Sequence, residues 1–207
     1  MGIRLSKKGQ MFLIISVIIV FTLIILKTSI NLPDILQQKR EMEGRYDKEM
    51  FENVKGELVK TIEISYHQSP NITRNVFDFA NFTRSKMEER LFDFRLLYVS
   101  SITPESGTDM NVTLVNLLNK PINASLSLNG SSQNNDNMLD STGWDTSFVI
   151  TPGDDYILTV SYNNTYESNI TIKTASGDSK YIGFFDISLG SLETTYKDKF
   201  QKSYTLP

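Results

Sequence analysis

Few residues in this sequence have the types and spacing that catalysis requires. The chain has a single histidine, His67, and no cysteine, so a zinc or iron–sulfur site is not expected. A serine hydrolase would need a nucleophile elbow such as Gly-x-Ser-x-Gly, and the sequence contains none. Asp154-Asp155 could attract a cation, but a calcium loop needs more oxygen ligands at fixed spacing, so a solvated turn explains the pair better. We therefore expect a protein that is not an enzyme and that uses no metal or other cofactor.

The chemistry that the sequence does offer is modification of asparagine. With sixteen Asn and forty Ser plus Thr among 207 residues, about three Asn-x-Ser/Thr sequons are expected by chance. The chain has seven, which predicts a glycoprotein; the alternative is an Asn- and Thr-rich β surface that forms sequons by accident. The seven glycosylation candidates are Asn71, Asn81, Asn111, Asn123, Asn129, Asn163 and Asn169.

An uncharged apolar run from Met11 to Leu26 precedes all seven sequons. At about 1.5 Å per residue it reaches about 24 Å, short of a hydrocarbon core of about 30 Å. Extension to Leu32, with Lys27 snorkelling, makes a full span feasible. A cleaved secretory signal is the alternative, but its apolar region is usually about 7–15 residues long and ends at a small-x-small site, which residues 26–30 do not offer.

Basic residues before this run predict its orientation. Arg4, Lys7 and Lys8 should remain in the cytoplasm, which sends the rest of the chain outside the cell. We therefore expect a single-pass membrane protein with a lipid bilayer as its first partner. The net charge of −3 and the absence of a basic stripe argue against nucleic acid as a partner.

The four residues Lys7-Lys8-Gly9-Gln10, followed by the apolar helix, resemble the class III signal peptide of archaeal type IV pilin-like proteins. The resemblance covers about the first thirty residues. It implies that a prepilin-type peptidase cleaves between Gly9 and Gln10. It also implies self-assembly of the processed subunits through the hydrophobic helix.

Two helices are predicted after the apolar run. Asn31-Leu32-Pro33-Asp34 is a helix-start signal, and apolar residues then recur mostly at threes and fours. This stripe could cover the core of the extracellular domain, or it could form a stalk that packs against other copies of the chain. Ser69-Pro70 is a second start signal, so a helical hairpin is expected. The stripe comprises Ile35, Met42, Tyr46, Met50, Val54, Leu58 and Ile62, with Phe51 beside it.

From Phe92 onward the apolar period changes to two, which is typical of β-strands. About seven short strands are predicted, at residues 92–98, 110–114, 122–128, 148–150, 156–162, 170–172 and 181–189. Residues 129–137 are predicted to form a loop, and Trp144 is assigned to another polar loop. Asn111, Asn123 and Asn169 lie between apolar positions, so their side chains should point to solvent.

The turn at Thr151-Pro152-Gly153-Asp154-Asp155, set between regular strands, resembles the immunoglobulin-like domains of archaeal and bacterial adhesion proteins. The expected fold is therefore α+β, with an antiparallel β-sandwich at the C-terminus. Residues 1–32 would be the cytoplasmic tail and transmembrane helix, 33–91 an extracellular helical stalk or hairpin, and 92–207 the sandwich. Two functions are consistent with this organisation: a pilin-like structural subunit, or an anchored surface protein whose sandwich binds a partner without forming filaments.

Overall fold

The computed structural model describes residues 7–29, 32–68, 71–103, 108–151, 154–163, 166–173, 180–192 and 194–205. The chain is α+β, with helices first and strands after them, as the sequence predicts. Three helices lie in the described residues: α1 (Lys7–Ser29), α2 (Leu32–Gln68) and α3 (Ile72–Glu88). The start signals at Asn31 and at Ser69-Pro70 fall outside the described residues, and α3 follows directly on Asn71.

Nine strands follow in the described part of the chain, all paired antiparallel. They form a five-stranded sheet in the order β5-β2-β1-β8-β9 and a four-stranded sheet in the order β4-β3-β6-β7. Their bounds are β1 (Asp93–Thr103), β2 (Asp109–Leu117), β3 (Ile122–Leu128), β4 (Ser131–Met138), β5 (Thr142–Val149), β6 (Asp155–Tyr162), β7 (Tyr166–Lys173), β8 (Lys180–Gly190) and β9 (Thr195–Thr205).

The chain divides into two compact units, residues 1–46 and residues 47–207. The division falls within α2, and it separates the predicted apolar stripe into two parts. Ile35, Met42 and Tyr46 are exposed, whereas the later members of the stripe are buried in the second unit. The later part of the stripe therefore covers a core, which was one of the two roles predicted for it. The buried members are Met50, Phe51, Val54, Leu58 and Ile62.

The five-stranded sheet has a hydrophobic cluster on each face. Phe94, Leu96 and Tyr98 of β1 belong to a hydrophobic cluster that includes residues of α2 and α3. Leu97 and Val99 point the other way, into a second cluster that includes residues from both sheets. Alternate side chains of a strand point to opposite faces, so the middle of this central strand, residues 96–99, is apolar at every position.

Two polar clusters fasten the helices to the sheets of the second unit. The buried carboxylate of Asp47 in α2 accepts hydrogen bonds from the hydroxyls of Ser191 and Thr194, at 2.7 and 2.8 Å. In α3, Arg84 donates to the carboxylate of Asp140 at 2.8 Å and to the hydroxyl of Ser141 at 2.5 Å. These bonds hold the β8–β9 turn and the β4–β5 turn against the helices.

The prediction of about seven strands was wrong because it omitted two edge strands. Residues 129–137 were predicted to form a loop, but most of them belong to β4, which is exposed at nearly every position and pairs only with β3. The segment that forms β9 was not assigned to any element. Trp144 lies in β5 rather than in a loop, where it is partly buried against the core between the sheets. β4 has no periodic apolar face, so it gives no period-two signal. β9 carries apolar residues on one face only at every fourth position, Tyr196, Phe200 and Tyr204, so its signal is weak.

Candidate functional site

The predicted processing residues lie at the start of α1. Lys7, Lys8, Gly9 and Gln10 are its first four residues, and the uncharged run begins directly after them. Gln10 is exposed. Gly9 therefore lies between two lysines and the uncharged part of α1.

The apolar part of α1 makes no packing contacts that bury it. Every large apolar residue from Met11 to Leu26 is at least 49% exposed. Residues 9–27 are long and apolar enough to span a membrane, and none of this stretch is buried.

The two polar side chains of this run are satisfied inside the helix. The hydroxyl of Ser16 donates to the carbonyl of Phe12 at 2.9 Å, and that of Thr22 donates to the carbonyl of Ile18 at 2.8 Å. An unsatisfied hydroxyl in hydrocarbon would cost several kcal/mol, and these bonds remove that cost. Neither residue therefore prevents α1 from lying in an apolar medium.

The asparagines of the seven sequons all reach solvent. Asn81 and Asn163 are partly exposed, and the other five are exposed. The three strand positions expected to point outward, Asn111, Asn123 and Asn169, are among the exposed five. Residues 47–207, the second compact unit, are called the body below. Within the body, the four-stranded sheet and its turns contain the most sequons, namely Asn123, Asn129, Asn163 and Asn169.

The sequons differ in how much of the motif the fold leaves accessible. Asn81 lies inside α3, and its partner Thr83 is buried. Residues two apart on a helix do not face each other, so this motif is not presented as one unit. Asn163 adopts a positive φ of 51°, and its amide oxygen accepts the backbone N–H of Asn123 at 2.9 Å. Asn169 likewise uses its amide oxygen within the fold, where it accepts the hydroxyl of Thr159 at 2.9 Å.

The other residues considered from sequence are not brought together. His67 is near the end of α2, where its ring meets that of Tyr66 edge-on at 4.8 Å. Asp154 is exposed, and Asp155 is the first residue of β6. Among the residues that the structure describes, no group of three His, Asp or Glu side chains could hold a metal ion.

Among the side chains with a shifted pKa, Tyr98 and Asp140 are perturbed by contacts that hold the fold together. Burial raises the pKa of Tyr98, whose hydroxyl is hydrogen-bonded to that of Tyr181 beneath the helices. Partial burial tends to raise the pKa of Asp140, but hydrogen bonds from Arg84, Ser141 and the amide of Asn119 outweigh it and lower the pKa below its ordinary value. These groups stabilise packing and turns.

Sequence reasoning missed a cleft beside β8 and β9. It has a volume of about 580 Å³. Its charged residues come from distant parts of the chain, so no local motif marks them. The one local indication is the alternation Lys197-Asp198-Lys199, which in a strand places both lysines on the same face. It could not be interpreted in this way without knowing that the segment forms β9. The lining residues are Arg95, Leu118, Lys120, Tyr162, Asp186, Ser188, Lys197, Asp198 and Lys199.

Neither protein-family models nor curated protein sequences match this chain.

Proposed function

We propose that this chain is a pilin-like subunit with a structural, assembly role at the cell surface. In this proposal, a prepilin-type peptidase removes residues 1–9 and leaves Gln10 as the first residue. The observation that carries the proposal is the position of Gly9, between two lysines and a helix that is apolar on all sides and unburied from Met11 to Leu26.

The apolar surface of α1 is exposed from Met11 to Leu26. Before assembly, the bilayer is the medium that can cover such a helix without cost. In an assembly, the same surface can pack against the α1 helices of other copies, because lipid tails and leucine side chains are about equally apolar. The basic residues Arg4, Lys7 and Lys8 favour a cytoplasmic N-terminus, which would direct the body to the exterior.

The body suits the exterior of a cell. The two sheets and the hydrophobic cluster they share support an immunoglobulin-like β-sandwich as its fold. The sandwich would be stable without disulfides, since the chain has no cysteine. The surface asparagines of the sequons would be available for sugars, which would make the subunit a glycoprotein.

A second function is an anchored surface protein whose sandwich binds a partner and does not form filaments. One observation favours it: residues 11–15 contain no acidic residue, whereas many pilin-like proteins carry a glutamate early in this helix. The charged cleft beside β8 and β9 would then be the natural place for a partner. The two functions differ in whether α1 leaves the bilayer.

Assembly can be tested with a processing variant in the native host. Gly9→Val places a bulky residue at the proposed cleavage site. Gly56→Ala is the matched control, because an added Cβ there has no atom within 4 Å. We expect the wild type and the control in high-mass material sheared from cells, and Gly9→Val in the membrane fraction. If wild type and Gly9→Val both stay in the membrane, the chain is an anchored surface protein instead.

A further inference from the structure

The cleft beside β8 and β9 is positively charged although the chain is acidic overall. Four basic side chains line it: Arg95, Lys120, Lys197 and Lys199. The whole chain has a net charge of −3. The lining also includes two acidic residues, Asp186 and Asp198, so basic residues outnumber acidic ones. A cleft with an excess of one sign of charge attracts ligands of the opposite sign.

The cleft exists because the inter-sheet face of the five-stranded sheet becomes polar near one end. Leu97 and Phe184 are the last buried apolar residues of this face on β1 and β8. The next positions outward on the same face are Arg95 and Asp186. On β9, pairing places Lys199 opposite Asp186 and Lys197 opposite Ser188. The polar surface is therefore set by the register of neighbouring strands.

The acidic residues nearby neutralise only part of this charge. Asp186 is within the cleft, with its carboxylate 3.8 Å from the ammonium of Lys199. Asp198 points to the helix side of β9, where it pairs with Lys55 at 2.5 Å. Asp93 pairs with Arg95 at 2.5 Å, but both side chains remain nearly half exposed. The lysines thus give the cleft a surplus of positive charge.

The cleft is completed by Leu118 and by two neutral polar side chains. Tyr162 at the end of β6 presents a half-buried ring, and Ser188 presents a hydroxyl. Burial, with a smaller effect from Asp186, raises the pKa of Tyr162, so its hydroxyl remains a neutral donor at physiological pH. An aromatic ring beside hydroxyl and ammonium groups suits a ligand with both an apolar ring face and anionic substituents.

We propose that this cleft binds an acidic oligosaccharide, a chain of sugars that carries carboxylate groups. Lys197 and Lys199 pair with carboxylates on successive sugars, and the ring of Tyr162 packs on the C–H face of one sugar. The volume is in the range of small-ligand sites. The site lies wholly in the body, so its existence does not depend on whether the chain forms filaments.

The test is titration calorimetry on the full chain in detergent, with trigalacturonic acid as the probe. A neutral trisaccharide and inorganic phosphate are the two reference ligands. We expect trigalacturonic acid to bind more tightly than either, and its affinity to fall as salt rises. Equal binding of the neutral sugar would overturn the role of charge. Equal binding of phosphate would mean that the cleft holds small anions and is not a saccharide site.

Two variants on one strand locate the binding. Lys197→Gln with Lys199→Gln removes the two cleft lysines of β9. Lys202→Gln is the matched control, since Lys202 is paired opposite Gly183 on the other face of the same strand. We expect the double variant to lose about tenfold or more in affinity for trigalacturonic acid, and the control to bind like the wild type. If both variants bind equally well, the ligand does not occupy this cleft. Equal unfolding midpoints for the three proteins would establish that a loss is not a folding defect.

Discussion

Arg84 is the residue whose loss tests the packing of α3 on the sheets most sharply. Its guanidinium donates to Asp140 and Ser141, and to the side-chain oxygen of Asn119 at 3.2 Å. Asn119 and Ser141 both adopt positive φ, near 60°, in the turns that they occupy. One side chain therefore fastens the helix to two turns that leave the sheets at the same end.

The loss in the free energy of unfolding that we expect on removing Arg84 follows from its burial and its hydrogen-bond geometry. The side chain of Arg84 is 17% exposed and that of Asp140 27% exposed, so solvent screens this pair only partly. A hydrogen bond to a charged group contributes about 1.5–3 kcal/mol, and the lost bonds are shared within one cluster. We expect Arg84→Ala to lower the free energy of unfolding by about 2–3 kcal/mol. Arg84→Lys keeps the charge but cannot reach several partners at once, so it should cost about 1 kcal/mol.

Denaturant unfolding in detergent, followed by the fluorescence of the single Trp144, measures both costs. Trp144 is partly buried in β5, which begins directly after the β4–β5 turn that Arg84 holds. The matched control is Arg74→Ala in the same helix, where the side chain is 76% exposed and its carboxylate partner lies at 3.9 Å. Such surface pairs contribute about 0–1 kcal/mol. Equal losses in the free energy of unfolding for Arg84→Ala and Arg74→Ala would refute the role of Arg84 in holding α3 to the two turns.

Two further predictions concern the same body. The pKa of Asp140 is lower in the folded protein than its ordinary value of 3.8. This difference stabilises the fold at pH values above 3.8, and the stabilisation is lost as the pH falls through the folded-state pKa. The difference in the free energy of unfolding between wild type and Asp140→Asn should therefore become smaller from pH 6 to pH 3. A difference that stays constant over this range would contradict the prediction. Gly183→Ala should cost about 1–2 kcal/mol in denaturant unfolding, because its Cβ would lie 3.2 Å from the ring of Phe185. Gly143→Ala, with no contact under 4.0 Å, is the control and should be near neutral.

The helices and the central strands could be predicted from the sequence because they carry strong periodic signals. The stripe along α2 repeats mainly at threes and fours, and β8 is apolar at most of its positions. Each pattern follows from burial on one helix face or on both sheet faces. What the stripe could not indicate is where burial begins, since Tyr46 and Met50 are both apolar but only Met50 is covered. Whether a residue of the stripe is buried depends on which part of α2 packs against the sheet, and the apolar pattern does not encode that.

The edge strands and the charged cleft could not be predicted in the same way. β4 is polar on both faces, so it forms through pairing with β3 and not through a buried stripe of its own. The cleft gathers Arg95 from β1, Lys120 from the β2–β3 turn and two lysines from β9. Their proximity is a consequence of sheet order, which no local spacing encodes. The N-terminal motif, in contrast, is read entirely from neighbouring residues, and it stays a prediction until the mature terminus is measured.

Pilin-type processing can be tested by the N-terminal mass of the protein purified from its own membrane. We expect a mature chain that begins at Gln10, with the basic segment removed. A chain that still contains Arg4, Lys7 and Lys8 would contradict pilin-type processing and would leave a permanently anchored surface protein.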